Sequence, residues 1–150
     1  MKTNIFNPAF YFYAFLWVHV LRRIGKSFAV AGVSLPRFEE PSSLALFYIK
    51  EGFEYKSDNF DYIKHWSAFY TQKRGDCDDF AEFAIASLAD SKYTCKLLYL
   101  NKKKESHVVV LLESKGVFHI MDTTAHNEYK SFEAVLSYYK EDGYQKYLLL

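Results

Sequence analysis

The stretch QKRGDCDDFAEFAIASL, residues 72 to 88, constrains the fold most. A polar turn containing Gly75 runs into a helical alternation. Phe80, Phe83, Ala84, Ser87 and Leu88 share one side of it, while Glu82 and Asp90 can face water. Asp78 and Asp79 fall in the first turn, where carboxylates favour the positive end of the helix dipole. Three strand-like runs follow: CKLLYL (95 to 100), HVVVLL (107 to 112) and VFHIMD (117 to 122). Ser131 opens a last helix over roughly 131 to 140. Helices first and an antiparallel sheet after them indicate an α+β fold.

Upstream, SLALFYIKEGF reads as a helix capped by Ser42 or Ser43 and ended by Gly52, with Leu44, Phe47 and Tyr48 on one face. VSLPRFEEPSS (33 to 43) is a connector, and EYKSDNFDYIKHW is an aromatic loop leading to the turn before Cys77. With 150 residues and no internal repeat or linker, the chain reads as a single domain spanning 1–150.

Residues 8 to 24, PAFYFYAFLWVHVLRRI, form the most apolar run. Its uncharged part, 8 to 21, falls short of the roughly 20 residues that cross a bilayer. AVA at 29 to 31 resembles an export cleavage site, but Arg22, Arg23 and Lys26 stand on the wrong side of the apolar run. The arm 1–35 therefore reads as an added N-terminal aromatic helix docked on the core. A membrane-surface helix anchored by Trp17, or a subunit contact, are the other readings. Without a signal peptide or a spanning helix, the expected location is cytoplasmic.

The formal charge of +1 argues against nucleic-acid binding, and Lys102 to Lys104 read as a solvated turn. The two cysteines, Cys77 and Cys95, form no CxxC and no disulfide framework, as expected in a reducing compartment.

A thiol nucleophile needs a lowered pKa, a base in reach, and a group that orients the base. Cys77 sits at a helix start, whose N–H groups favour thiolate, whereas Asp76, Asp78 and Asp79 oppose it. A turn within 113 to 116 that sets Leu112 opposite Val117 also sets His107 opposite Asp122. Their Cβ atoms would then lie roughly 4.5–5.5 Å apart. The apolar residues sharing that face, Val109, Leu111, Phe118 and Ile120, are expected to pack on the Phe80/Ala84 side of the helix. Of the other candidates, His65 precedes the turn, His119 faces away from Asp122, His126 could line the site from the next loop, and Cys95 reads as buried and inert. Asp76, Asp78, Asp79 and Glu82 offer oxygens for calcium without the spacing of an EF-hand.

Trp66, then GDCDDFA (75 to 81), then HVVVLL and VFHIMDTT together resemble the transglutaminase-like cysteine peptidases, in particular their bacterial proteinase branch. The resemblance covers about residues 40–125, the expected catalytic core. It implies a papain-like α+β fold with the Cys helix packed on an antiparallel sheet. It also implies Cys77 as nucleophile, His107 as base and Asp122 as the orienting carboxylate. Calcium beside Asp76 and Asp78 is known in some periplasmic members, although Asp78 stands where Glu is usual. Compact members of this kind are similar to phage-encoded proteins, which would place the protein in a host cytoplasm or virion. The implied activity is a cysteine peptidase or amidase acting on a protein or peptide. A catalytically silent binding or virion-associated module, or a cross-linking transglutaminase, are the alternatives.

Overall fold

The computed structural model describes residues 29–57, 63–103 and 105–150, with positions 9, 12, 16 and 20 before them. Apart from those four single positions, the apolar run at 8 to 24 lies outside the described residues. In chain order the elements are α1 (Pro41–Lys50), β1 (Glu54–Tyr55), α2 (Trp66–Gln72), β2 (Arg74–Gly75), α3 (Cys77–Leu88), β3 (Thr94–Lys102), β4 (Glu105–Ser114), β5 (Val117–Asp122), β6 (Ala125–Tyr129), α4 (Phe132–Glu141) and β7 (Lys146–Leu149). The fold is α+β. A five-stranded antiparallel sheet runs β6-β5-β4-β3-β7, and β1 pairs with β2 in a short parallel ladder. Among the described residues, no helix is long and apolar enough to cross a membrane.

The helix starts follow local chemistry. Pro41 opens α1, where a missing N–H costs nothing, so neither Ser42 nor Ser43 is the cap. Gly52, at φ +72°, follows its end. Ser131 caps α4 by accepting the Ala134 N–H at 3.2 Å. The sequence showed no helix at 66 to 72. There His65 Nδ1 accepts the Ser67 N–H at 3.3 Å and caps α2, and Lys73 closes it in the left-handed region at φ 54°.

The sheet is covered on both faces. On one, α1, α2 and α3 pack against Leu97, Tyr99, Val108, Val110, Leu112 and Met121. On the other, Val135 and Tyr139 of α4, with Tyr144, pack against Leu98, Leu100, Val109, Leu111 and Ile120. This corrects the expected packing. The face bearing Val109, Leu111 and Ile120 meets α4, and α3 takes the opposite face. The unbroken buried run Val108 to Leu112 belongs to a central strand covered on both sides.

The β4–β5 register also differs from expectation. Ser114 pairs with Val117, Leu112 with His119, and Val110 with Met121. The two-residue turn is Lys115-Gly116, with φ of 53° and 79°. A tight hairpin turn of this hand needs positive φ at both central residues, and a glycine in the second place lowers the strain. The shift is two residues, so every side chain keeps its face.

Candidate active site

Cys77 is the first residue of α3, and Asp76 before it is extended. The approach is fixed by backbone. Tyr55 pairs with Gly75 in the β1–β2 ladder, and the Lys56 N–H donates to the Gly75 carbonyl at 2.7 Å. Gly75 has to be glycine for a packing reason. A Cβ there would meet Asp79 Oδ2 at 2.2 Å and its Cβ at 2.7 Å. Asp79 is fully buried, not solvated as a first-turn carboxylate usually is. Its Oδ1 accepts the Lys64 N–H at 2.7 Å, and its Oδ2 takes the Lys64 ammonium. Burial pushes the Asp79 carboxyl up to about 6 although the Lys64 bonds pull it down. The GDCDD string thus buries an aspartate against a glycine and hangs the thiol at the helix start.

Burial pushes the Cys77 thiol up to about 12, and Asp78 and Asp76 add to the rise. The N–H groups of Val108 and of Cys77 itself, directed at the sulfur, oppose it. The resting side chain is a thiol, and it is partly buried. Its contact with the sheet falls at a particular place. The β4–β5 ladder stops at Val110–Met121, so β4 runs on past the last paired residue of β5. Cys77 meets the Val108 N–H in that unpaired stretch, one residue from His107.

His107 and Asp122 are brought together. Nε2 of His107 lies 2.8 Å from Asp122 Oδ1. In the observed register the two positions are diagonal instead of directly opposite, and the length of the imidazole spans the difference. Asp122 Oδ2 accepts the Tyr139 hydroxyl at 3.0 Å, so both carboxylate oxygens are held. Burial, then the Asp122 charge, keeps the Tyr139 phenol well above its ordinary range and therefore a donor. With the Nε2–H directed at Asp122, Nδ1 carries the lone pair. Among the described residues no hydrogen bond joins Cys77 to His107. The link between them is the main chain of Val108.

The remaining candidates separate from this centre. Cys95 is partly buried, its Sγ 3.7 Å from the Tyr93 carbonyl, and burial raises its thiol. His65 caps α2. His119 and His126 pair with each other at 3.1 Å on the α3 face of the sheet. His126 belongs to β6, not to a loop lining the triad. A cavity of about 290 Å³ is lined by Lys64, His65, Trp66, Glu82, Ile85 and neighbours, none of them a triad residue.

Sequence reasoning missed three tyrosines. Tyr139 holds Asp122. Tyr144 places its ring 6.1 Å from the His107 ring and donates to Glu105 at 3.0 Å. Tyr55, more than half exposed, is pushed up to about 12 by partial burial and then by its interactions with Cys77, Asp76, Asp78 and Glu105. Tyr139 left a signal: it lies four residues after Val135 on the buried side of α4, and a buried tyrosine needs a partner for its hydroxyl.

Asp76, Asp78 and Asp79 bring carboxylate oxygens within 4.8 Å of one another, and Asp76 Oδ1 is buried without a hydrogen-bond partner. Asp79 is already paired with Lys64. Calcium takes roughly six to eight oxygens. Lys64 already supplies a cation at this cluster, and an ion there would need further oxygens from the main chain or water. Comparison of the chain with family models, curated proteins and solved structures returns no match.

Proposed function

We propose that the protein is a thiol-dependent acyl-transfer enzyme of transglutaminase-like type, a cysteine peptidase or amidase acting on a protein or peptide. The observation that carries this is the doubly held Asp122. It fixes His107 through Nε2, at the strand residue next to the one whose N–H meets the Cys77 thiol.

In the reaction His107 Nδ1 takes the thiol proton as Sγ attacks the substrate carbonyl carbon, and the carbonyl electron pair moves to oxygen. Asp122 holds the imidazolium that forms. The Cys77 backbone N–H, which has no helical carbonyl to bond at the start of α3, is one donor to the oxyanion. The oxyanion then collapses, the C–N bond breaks, and the proton on Nδ1 leaves with the amine. Water, deprotonated by the same nitrogen, releases the acid and the thiol. A thiol at about 12 is a poor nucleophile at rest, so turnover depends on His107 as general base.

That dependence is also what favours a second reading. A buried thiol with no hydrogen bond to His107 suits a catalytically silent module that keeps the fold for binding. Incubation with p-nitrophenyl acetate separates the two. The enzyme reading expects an acetyl adduct mapped to Cys77 and not to Cys95. Equal labelling of both cysteines, or none, would sink it. Replacing water by an amine acceptor then distinguishes hydrolysis from cross-linking by the product released.

A further inference from the structure

On the α3 face of the sheet, away from the triad, two imidazoles face each other. His119 of β5 and His126 of β6 lie nearly parallel, 12° between ring planes, with Nδ1 of the first 3.1 Å from Nε2 of the second. Glu128 is the register partner of His119, and its Oε2 lies 3.9 Å from the same Nδ1. His126 and Glu128 are two residues apart on one strand, so they point to one side. His119 stands across from them on the same side. His119 Nδ1 is the shared point, near both His126 and Glu128, and Glu128 has to turn toward His126 before all three donors meet at one ion.

Glu40, at the start of α1, is close enough for His119 and His126 to feel its charge, and it is itself held by Lys92 and by the Tyr93 hydroxyl at 2.6 Å. The Tyr93 ring packs edge-on against His119 at 5.1 Å. His119 is buried and anchored, at 8% exposure, while the Glu128 side chain is mostly exposed and free to swing inward.

We propose that His119, His126 and Glu128 form a binding site for a zinc-class divalent ion, clipping the edge strand β6 to β5. Two ligand nitrogens on a tetrahedral zinc, at 2.0–2.1 Å each, lie about 3.3 Å apart, close to the spacing observed here. Imidazole and carboxylate are the donors that suit such an ion, and water fills the fourth position. Without metal, the contact between the two nitrogens requires one N–H and one lone pair. On binding, both nitrogens donate lone pairs to the ion, and the imidazole that held the N–H carries its proton on its other ring nitrogen instead, by exchange with solvent.

Calorimetric titration of the full chain with zinc chloride tests the proposal. The Cys77→Ala background keeps zinc off the thiol. One ion per chain and a zinc-dependent rise in Tm are expected. His126→Gln should weaken binding by about 100-fold or more, at least the loss seen when an outer-shell partner is removed. Glu128→Gln, at an exposed position, should weaken it by about tenfold and leave the fold intact. The proposal is overturned if the parent takes up no zinc, or if a folded His126→Gln chain binds it as tightly as the parent. Should His126→Gln not fold, unchanged affinity in Glu128→Gln overturns it equally.

Discussion

On the α3 face of the sheet the core is aromatic. Phe69 and Phe80 meet at 4.9 Å with planes 67° apart, Tyr48 meets Phe80 at 5.0 Å, and Phe83 is fully buried among them. On the α4 face the core is mostly aliphatic, and a hydroxyl ties it to the chemistry, Tyr139 on Asp122. Cys77 belongs to the first face and His107 with Asp122 to the second. Where β4 outruns β5, Cys77 reaches the backbone N–H of Val108, the residue after His107. The difference teaches a division of labour. One face holds the nucleophile in place by packing volume, and the other holds the base by hydrogen bonds.

The comparison can be broken by substitution. Phe83→Ala on the α3 face should cost the most stability, about 3–5 kcal/mol, since it empties the middle of the ring cluster. Urea unfolding measures this. Acylation by the fraction still folded should change little, because the hydrogen bonds on the α4 face are untouched. Tyr139→Phe should do the reverse. A hydrogen bond to a charged group is worth about 1.5–3 kcal/mol, so the stability loss stays within that range. Acylation of Cys77 should fall by about tenfold through a loosened His107, one decade being 1.36 kcal/mol. If Phe83→Ala slows acylation of folded protein more than Tyr139→Phe does, the division fails.

The smallest effect is a pH dependence on the α3 side. The Asp79 carboxyl is raised from an ordinary 3.8 to about 6. A raised carboxyl favours the folded state most when protonated. Its contribution is therefore complete below about pH 4 and is lost as pH rises through about 6. Stability of the wild type minus that of Asp79→Asn, followed by urea unfolding from pH 4 to 7, should fall over that window. A flat difference would show that Lys64 compensates the buried charge fully.

The alternations of α3 and α4, and the three apolar strands, were legible because period carries burial. All five residues assigned to the inner side of α3 are buried. The shared face of His107 and Asp122 was legible for the same reason, since an even slip of register leaves faces unchanged. The register itself depended on where the turn sat, and the glycine at 116 decided that. Which helix covers which face was not legible, because both β4 faces are apolar and alternation is lost there. Strand β6, AHNEY, has no apolar pattern and is a strand because β5 offers it a free edge. The short β1–β2 ladder, two residues a side, carries no pattern at all. Tyr139 was missed because its partner lies 17 residues away in sequence and is joined to it only by packing.

The most direct test of the account is the pH dependence of Cys77 acylation in the wild type and in His107→Ala. With burial holding the thiol near 12, an unaided Cys77 reacts through its thiolate, whose fraction grows about tenfold per pH unit. The account predicts that the wild-type rate levels off well below that value, because His107 takes the proton. It also predicts that His107→Ala is about 10²–10⁴-fold slower at neutral pH and keeps climbing with pH. Two profiles that superimpose would contradict it.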